Sequence, residues 1–222
     1  MEKSIVKIDS IYKITHDVLR IVTGKPPNFN FISGQAAEIS LNKPGWTEEK
    51  RPFTFTCLSD DDYLEFTIKT YPERNGVTSQ LLQLKRGDTL TINDVFGAIT
   101  YKAEGIFIAG GAGVTPFISI FRYLQKKNKI GSNILVFANK TRDDIILEKE
   151  FRSMLRESFI NILSEEKAPG YYHGFISEDF LKNTIADFSR QFYVCGPPPM
   201  MDAVLSQLSN LGVGKDAVTI EI

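Results

Sequence analysis

Two short runs fix what this chain can fold into: Gly110-Gly111-Ala112-Gly113-Val114-Thr115-Pro116 and, far downstream, Cys195-Gly196-Pro197-Pro198-Pro199-Met200-Met201. The first follows the apolar stretch Ile106-Phe107-Ile108-Ala109 and the second follows Phe192-Tyr193-Val194, and each precedes a helical pattern. Both therefore sit where a parallel strand turns into a helix. In open α/β sheets that edge is where ligands bind.

The rest of the chain is written in two grammars. Up to about Lys102 the apolar segments are short, alternate with polar residues and are separated by Gly, Pro, Asn and Asp; they cover residues 4–14, 18–23, 34–41, 53–58, 64–70, 89–93 and 99–102. Regularly spaced short strands with turn signals predict an antiparallel barrel or sandwich. One short helix is expected at 79–84. From Ala103 onward, apolar strands at 106–109, 134–138, 159–163 and 192–195 alternate with helical stretches at 115–127, 147–155, 178–183 and 198–211. That is the βαβ rhythm of a parallel sheet covered by helices. The expectation is a two-domain fold: an N-terminal antiparallel β-barrel over 1–102 followed by an α/β parallel-sheet domain over 103–222.

Composition excludes several classes. With 222 residues, 42% of them hydrophobic and 24% charged, the chain has material for two ordinary globular cores. A net charge of -1 gives no electrostatic case for nucleic acid. Residues 1–13 alternate apolar and polar without a continuous apolar region, so neither a signal peptide nor a membrane span is expected, and the cytoplasm is the expected compartment. The two cysteines, Cys57 and Cys195, are too far apart in sequence to set a metal-ligand spacing. No metal is expected, and any iron–sulfur cluster belongs to a partner.

Gly111 and Gly113 lack side chains where a backbone has to approach a diphosphate. The helix opening at Val114-Thr115-Pro116 offers unpaired N–H groups and the positive end of its dipole, and Pro116 fits a first turn, where its missing N–H costs nothing. Taken alone, such a cluster is also a plain strand-to-helix turn. The companion run changes the reading: Cys195 followed by Gly196-Pro197 and ahead of Met200 is a rigid turn that fixes one thiol at the sheet's carboxyl edge. Neither His16 nor His173 is placed by sequence to activate that thiol. Cys195 is read as a contact for a nicotinamide ring, in contrast to a buried structural cysteine and to a covalent nucleophile.

Together the two runs resemble those of the ferredoxin-NADP reductase superfamily, and the first half carries further matches in order. Arg51-Pro52-Phe53-Thr54 is similar to that family's Arg-x-Tyr-Ser flavin motif, with Phe for Tyr and Thr for Ser; Gly76-Val77-Thr78-Ser79 is similar to its Gly-x-x-Ser segment. Gly34-Gln35 and Phe96-Gly97 fall at the family's Gly-Gln and Pro-x-Gly turns. The resemblance implies that Arg51, Ser79 and the backbone of residues 76–78 hold the diphosphate of FAD, and that Phe53 offers a ring face without the hydroxyl of Tyr. It places the Thr54 hydroxyl near the reactive N5 edge of the flavin, and the strand Ile68-Lys69-Thr70-Tyr71 along the flavin rim, with Tyr71 stacking in compensation for Phe53. Singly, Arg51 reads as a surface charge, Phe53 as a core ring and Thr54 as a strand residue. FAD rather than FMN rests on the resemblance alone. Glu221, beside the terminal Ile222, occupies the place of a proton-handling Glu in plant-type members, against the plainer reading of an exposed carboxylate.

The implied activity is transfer of a hydride from NADH or NADPH, held between the two domains, to FAD, with Thr54 and Cys195 at the reacting centre. Electrons then pass to a separate acceptor protein such as ferredoxin or flavodoxin, or to a small oxidant. A ferric-siderophore reductase and a non-catalytic flavin- and nucleotide-binding module share the motifs and stay open. So does the choice of nucleotide, because Asn139-Lys140-Thr141 with Asp144-Ile145-Ile146 should lie near the adenosine ribose. Lys140 and Arg142 suit a 2′-phosphate, whereas a carboxylate at Asp144, as in the similar segment of cytochrome b5 reductases, repels one.

Overall fold

The computed structural model describes residues 3–97 and 99–220, so Glu221 lies outside the described residues. By contacts the chain divides into two compact units, residues 1–101 with 115–123 and residues 102–114 with 124–222.

The first unit holds β1 (Ser4–Lys13), β2 (Val18–Gly24), β3 (Ala36–Leu41), β4 (Arg51–Thr54), β5 (Tyr63–Lys69), α1 (Val77–Leu81) and β6 (Thr89–Phe96). The strands pair antiparallel in the order β4-β3-β6-β1-β2-β5. A bridge between Phe55 and Phe66 then joins the end of β4 to β5 and closes the sheet into a barrel, one of the two architectures the strand spacing allows. Period-two alternation fills it: Val6 and Ile8 of β1 point inward while Ile5, Lys7 and Asp9 point outward. Phe31 stacks on Phe55 with ring centroids 4.2 Å apart, and Phe66 completes the aromatic layer. β5 is buried on both sides, with Leu64, Phe66 and Ile68 in the barrel core and Glu65 and Thr67 on its other face.

Three expected elements shift. The strand expected at 53–58 is β4 at 51–54, a sheet edge, which is why Pro52 is tolerated in it. Beyond Thr54 the backbone turns to other partners, Phe55 N donating to Gln35 O and Thr56 N to Glu65 O. Residues 99–102 form no strand; Ile99 is buried, and the Lys102 N–H goes to the Tyr193 hydroxyl at 2.8 Å instead of a ladder. The short helix begins at Val77, and Leu82, Gln83 and Leu84 follow only as i→i−3 turns.

The second unit holds β7 (Gly105–Gly110), β8 (Ile134–Asn139), α3 (Glu148–Leu155), β9 (Phe159–Leu163), β10 (Tyr172–His173), α4 (Glu178–Thr184), β11 (Gln191–Cys195), α5 (Pro198–Asn210) and β12 (Val218–Ile220); α2 (Thr115–Lys126) follows β7 in the chain. All six strands are parallel, in the order β10-β9-β8-β7-β11-β12. One face packs Ile106, Ile108, Val136, Ile162, Phe192 and Val194 against Leu181, Val204 and Leu208 of α4 and α5. On the other face Phe107 stacks on Tyr193 at 4.2 Å, and Phe151 of α3 meets Phe137 edge-on. From β7 the chain winds outward through β8, β9 and β10, then returns to lay β11 on the opposite side of β7. That reversal is a topological switch point, and the two glycine- and proline-rich runs both lie at it.

Candidate functional site

The first unit brings the residues expected around the flavin onto β4, the end of β5 and the segment entering α1. Arg51 is half exposed; its Nη1 donates to Lys50 O at 2.6 Å and its Nη2 lies 3.6 Å from Glu49. Such a loosely engaged guanidinium fork can turn to a diphosphate. Pro52 is exposed and Phe53 half-buried. Thr54 is buried, and its hydroxyl oxygen accepts from the Thr115 hydroxyl at 3.4 Å, bringing the first residue of α2 to the expected N5-edge position. Ile68 and Val77 point into the barrel core, so only their backbones are available to a ligand. Lys69 is paired with Asp17 at 2.8 Å. Tyr71 is half-buried and carries the Arg74 guanidinium over its ring at 4.6 Å.

The Gly76–Ser79 segment is held by its own hydroxyl: Ser79 Oγ donates to Gly76 O at 2.8 Å and accepts from Gly76 N at 3.3 Å. No atom lies within 4 Å of where a Gly76 side chain would begin. This open approach, beside the half-buried Thr78 and Ser79, fits a diphosphate.

The glycines at the switch point divide their labour differently from the expectation. A Cβ on Gly113 would stand 2.3 Å from Cys195 O, and one on Gly110 would stand 2.2 Å from Met200 Sδ. These two positions are small because the β11–α5 turn packs on them. Gly111, with φ +51°, has nothing within 4 Å of a Cβ. Open space is therefore left at Gly111, while Gly113 and Gly110 accommodate the Cys195–Met200 run against β7. Val114 and Pro116 are buried, Thr115 half-buried. Cys195 is half-buried at the end of β11, paired in register with Ala109, and Gly196 and Pro197 lead into α5 with Pro198 in its first turn.

At the end of β8, Asn139 is 8% exposed, and neither its amide nitrogen nor its amide oxygen has a hydrogen-bond partner among the described residues. A buried amide with both ends unsatisfied costs stability unless water or a ligand meets it. Beyond it, the Asp144 carboxylate accepts from Thr141 N at 2.9 Å and from Thr141 Oγ1 at 2.7 Å, closing a capping box. Lys140 pairs with Glu165 at 2.9 Å and Arg142 with Glu166 at 2.6 Å. The backbone N–H of Arg142 and its side chain hold the Glu166 carboxyl below the ordinary value, and donation to the Glu166 carboxylate raises Arg142 in return.

Four residues had no place in the sequence reading: Tyr172, Phe175, Glu165 and Glu166. Tyr172, 51% exposed, lies on β10 opposite Ile162, and Phe175, 80% exposed, lies just past the carboxyl end of β9, where Gly174 N donates to Leu163 O at 2.9 Å. Glu165 and Glu166 belong to the same edge. The aromatic run Tyr171-Tyr172-His173-Gly174-Phe175 in a polar loop is the available signal for the first two.

An FAD-binding domain family matches residues 3–95, and an oxidoreductase NAD-binding domain family matches residues 107–206. NADH-cytochrome b5 reductase 2 of Candida glabrata is 30% identical over 221 residues, covering 91% of this chain and 74% of that protein. The reductase component of propane 2-monooxygenase from Rhodococcus jostii is 30% identical over 232 residues, covering 96% of this chain; the chain spans 61% of that protein's length. Among solved structures, the FAD/NAD-binding domain of nitric oxide dioxygenase from Vibrio cholerae superposes with a TM-score of 0.87 at 21% identity, covering 98% and 97% of the two chains. A ferredoxin NADP+ reductase from Neisseria gonorrhoeae with bound FAD and NADP gives 0.87 at 17% identity, covering 100% and 98%. At such identities the superpositions speak for the fold. With both domain families in order and a relative matched over most of its length, the chain belongs to the ferredoxin-NADP reductase superfamily as an FAD- and NAD(P)-binding oxidoreductase.

Proposed function

We propose that this protein is a reductase that takes electrons from a reduced nicotinamide nucleotide and delivers them through FAD to a separate acceptor. The flavin domain is residues 1–102 and the nucleotide domain residues 103–222, a division the two matched ranges support. When bound, FAD accepts the hydride from nicotinamide C4 and releases electrons onward. Arg51, the open backbone at Gly76 and the hydroxyl of Ser79 hold its diphosphate; Thr54 and Thr115 present hydroxyls to its N5 edge.

In the second unit Gly111 receives the nucleotide's diphosphate, Cys195 at the end of β11 lies along the nicotinamide, and the orphaned amide of Asn139 meets the adenosine end. Phe175 offers an exposed ring for the adenine. The observation that carries this reading is the switch point, where the chain leaves open space at Gly111 and tightens Gly110 and Gly113 around the turn that bears Cys195.

Relatives are named for an oxygenase and for cytochrome b5. A protein acceptor of that kind, or a ferredoxin or flavodoxin, is the partner we favour over a small oxidant such as a ferric siderophore. The cytoplasm is the site of action we propose; among the described residues no helix is long and apolar enough to cross a membrane. The deciding experiment is the visible spectrum of the FAD-reconstituted protein under anaerobic titration with NADH and with NADPH. Flavin bands near roughly 380 and 450 nm that bleach on addition are expected. A protein that binds FAD and is bleached by neither nucleotide is a binding module instead.

A further inference from the structure

Resting on the nucleotide site just described, we propose that Glu165 and Glu166 are specificity-determining residues that make NADH the preferred donor by withholding Lys140 and Arg142 from the 2′-phosphate of NADPH. In a βαβ unit of this kind the diphosphate lies at the first strand-to-helix turn and the adenosine ribose beside the carboxyl end of the next strand, here β8. Lys140 and Arg142 directly follow that strand, and they are the cations a 2′-phosphate would seek.

Both are already engaged, and the backbone dictates by what. The β8–β9 ladder runs on past its last strand pair: Ser164 N donates to Asn139 O at 3.0 Å and Glu165 N to Lys140 O at 2.9 Å. This extension delivers Glu165 to Lys140, with Nζ to Oε1 at 2.9 Å. Glu166 takes Arg142 at two points, Nε to Oε1 at 2.6 Å and the backbone N–H to Oε2 at 2.8 Å.

An exposed ion pair alone is a weak obstacle. A carboxylate that also satisfies a backbone N–H is a stronger one, because a phosphate must replace both interactions. Field and contact act in the same direction. Residues 140–144 and 165–167 carry four carboxylates, Asp143, Asp144, Glu165 and Glu166, against three cations. A 2′-phosphate brings about −1.5 to −2 charges into that set. A free 2′-hydroxyl brings none, and can donate to a carboxylate.

The test uses the full chain loaded with FAD, as wild type and as Glu165→Gln, Glu166→Gln and the double variant. Flavin bleaching is followed with NADH and NADPH, and binding of 5′-AMP and 2′,5′-ADP is measured separately by calorimetry. Wild type should be bleached more efficiently by NADH and should bind 5′-AMP more tightly than 2′,5′-ADP. The double variant should shift the ratio of kcat/KM for NADPH over NADH by about tenfold toward NADPH, the order expected from a change of two charges at exposed positions. That shift should shrink in high salt. Equal or better use of NADPH by wild type, or an unchanged NADH:NADPH ratio in the double variant, overturns the proposal. Failure of both nucleotides to bleach the flavin overturns the reductase reading, and the two adenosine ligands still decide this one.

Discussion

Two cysteines in one chain occupy opposite environments. Cys57 is buried under the barrel with its sulfur accepting from Glu65 N at 3.2 Å. Burial, with the nearby Glu65 and Asp61 charges, pushes its thiol up to about 12, so it is protonated at any pH at which the protein functions. Cys195 is half-buried at the sheet edge. Reactivity follows thiolate content and access. A native sample at pH 8 should therefore be modified by an aromatic disulfide reagent at Cys195, and at Cys57 only after unfolding. NAD should slow the native reaction if Cys195 lies against the nicotinamide. Two rapid equivalents, or rapid loss of the Cys57 thiol found by peptide mapping, would contradict the packing.

At the scale of elements, helix α2 and the turn before it give the sharpest expectations. On the face of β5 turned away from the barrel core, Glu65 is fully buried and is met by Arg20 at its Nε (2.8 Å) and its Nη2, by Arg122 of α2 at 2.6 Å and by the Thr56 hydroxyl at 2.8 Å. Arg122 also donates to Thr56 O at 2.7 Å, which pins the helix to the barrel wall. Burial drives the Glu65 carboxyl upward, but the charge and hydrogen bond of Arg122, with those from Arg20 and Thr56, outweigh it and hold Glu65 below the ordinary carboxylate value.

A depressed folded-state value stabilises the protein above the unfolded pKa, near about 4.3, and that contribution is lost as pH falls through the folded value. Glu65→Gln leaves two guanidinium groups short of their anion and should cost roughly 3–5 kcal/mol at pH 7. The deficit relative to wild type should shrink in acid below pH ~4, as wild type itself protonates. Urea unfolding at pH 7 and at successively lower pH measures both, and a constant deficit at every pH removes Glu65 as the titrating group. In the turn ahead of α2, Gly113→Ala forces a methyl against the Cys195 carbonyl and should destabilise by about 1–3 kcal/mol. Gly111→Ala meets no atom; it should cost only about 1 kcal/mol of left-handed backbone strain yet weaken the nucleotide more. The reverse order in calorimetry would move the diphosphate elsewhere.

These contrasts also show what sequence could carry. Alternation and β-branched runs marked the long strands because their burial is set locally, residue by residue. β12 (Val218–Ile220) and β10 (Tyr172–His173) went unread because they are only three and two residues long and gain their pairing from β11 and β9, not from their own pattern. The glycine run announced a tight turn, but which glycine faces open space depends on the distant Cys195 carbonyl and Met200 sulfur. Glu165 and Glu166 reach Lys140 and Arg142 only through the parallel register of β8 and β9. Charge next to a strand end does not reveal its partner at the end of the neighbouring strand.

At the scale of the whole molecule, the barrel core and the core between the parallel sheet and α4–α5 belong to different units, and that makes ligand linkage selective. The chain has a single tryptophan, Trp46, and it packs against the barrel core, so its fluorescence reports the first unit alone. Every α-helix other than α1 and most of α2 belongs to the second unit, so far-UV ellipticity is weighted toward that one. A ligand that binds only the native barrel stabilises it by about 2.7 kcal/mol at a hundred times its Kd. For a unit of roughly 100 residues that is a rise of about 10–20 °C in the midpoint. Saturating FAD should therefore raise the Trp46 transition by that amount, and the ellipticity transition by less. 5′-AMP, bound beside β8, should favour the ellipticity signal instead. An equal shift of both signals by either ligand would mean that α2, shared in sequence by the two units, makes them unfold as one. A Trp46 transition indifferent to FAD would remove the barrel as the flavin site, because no stabilising ligand can bind a native state and leave its midpoint unmoved.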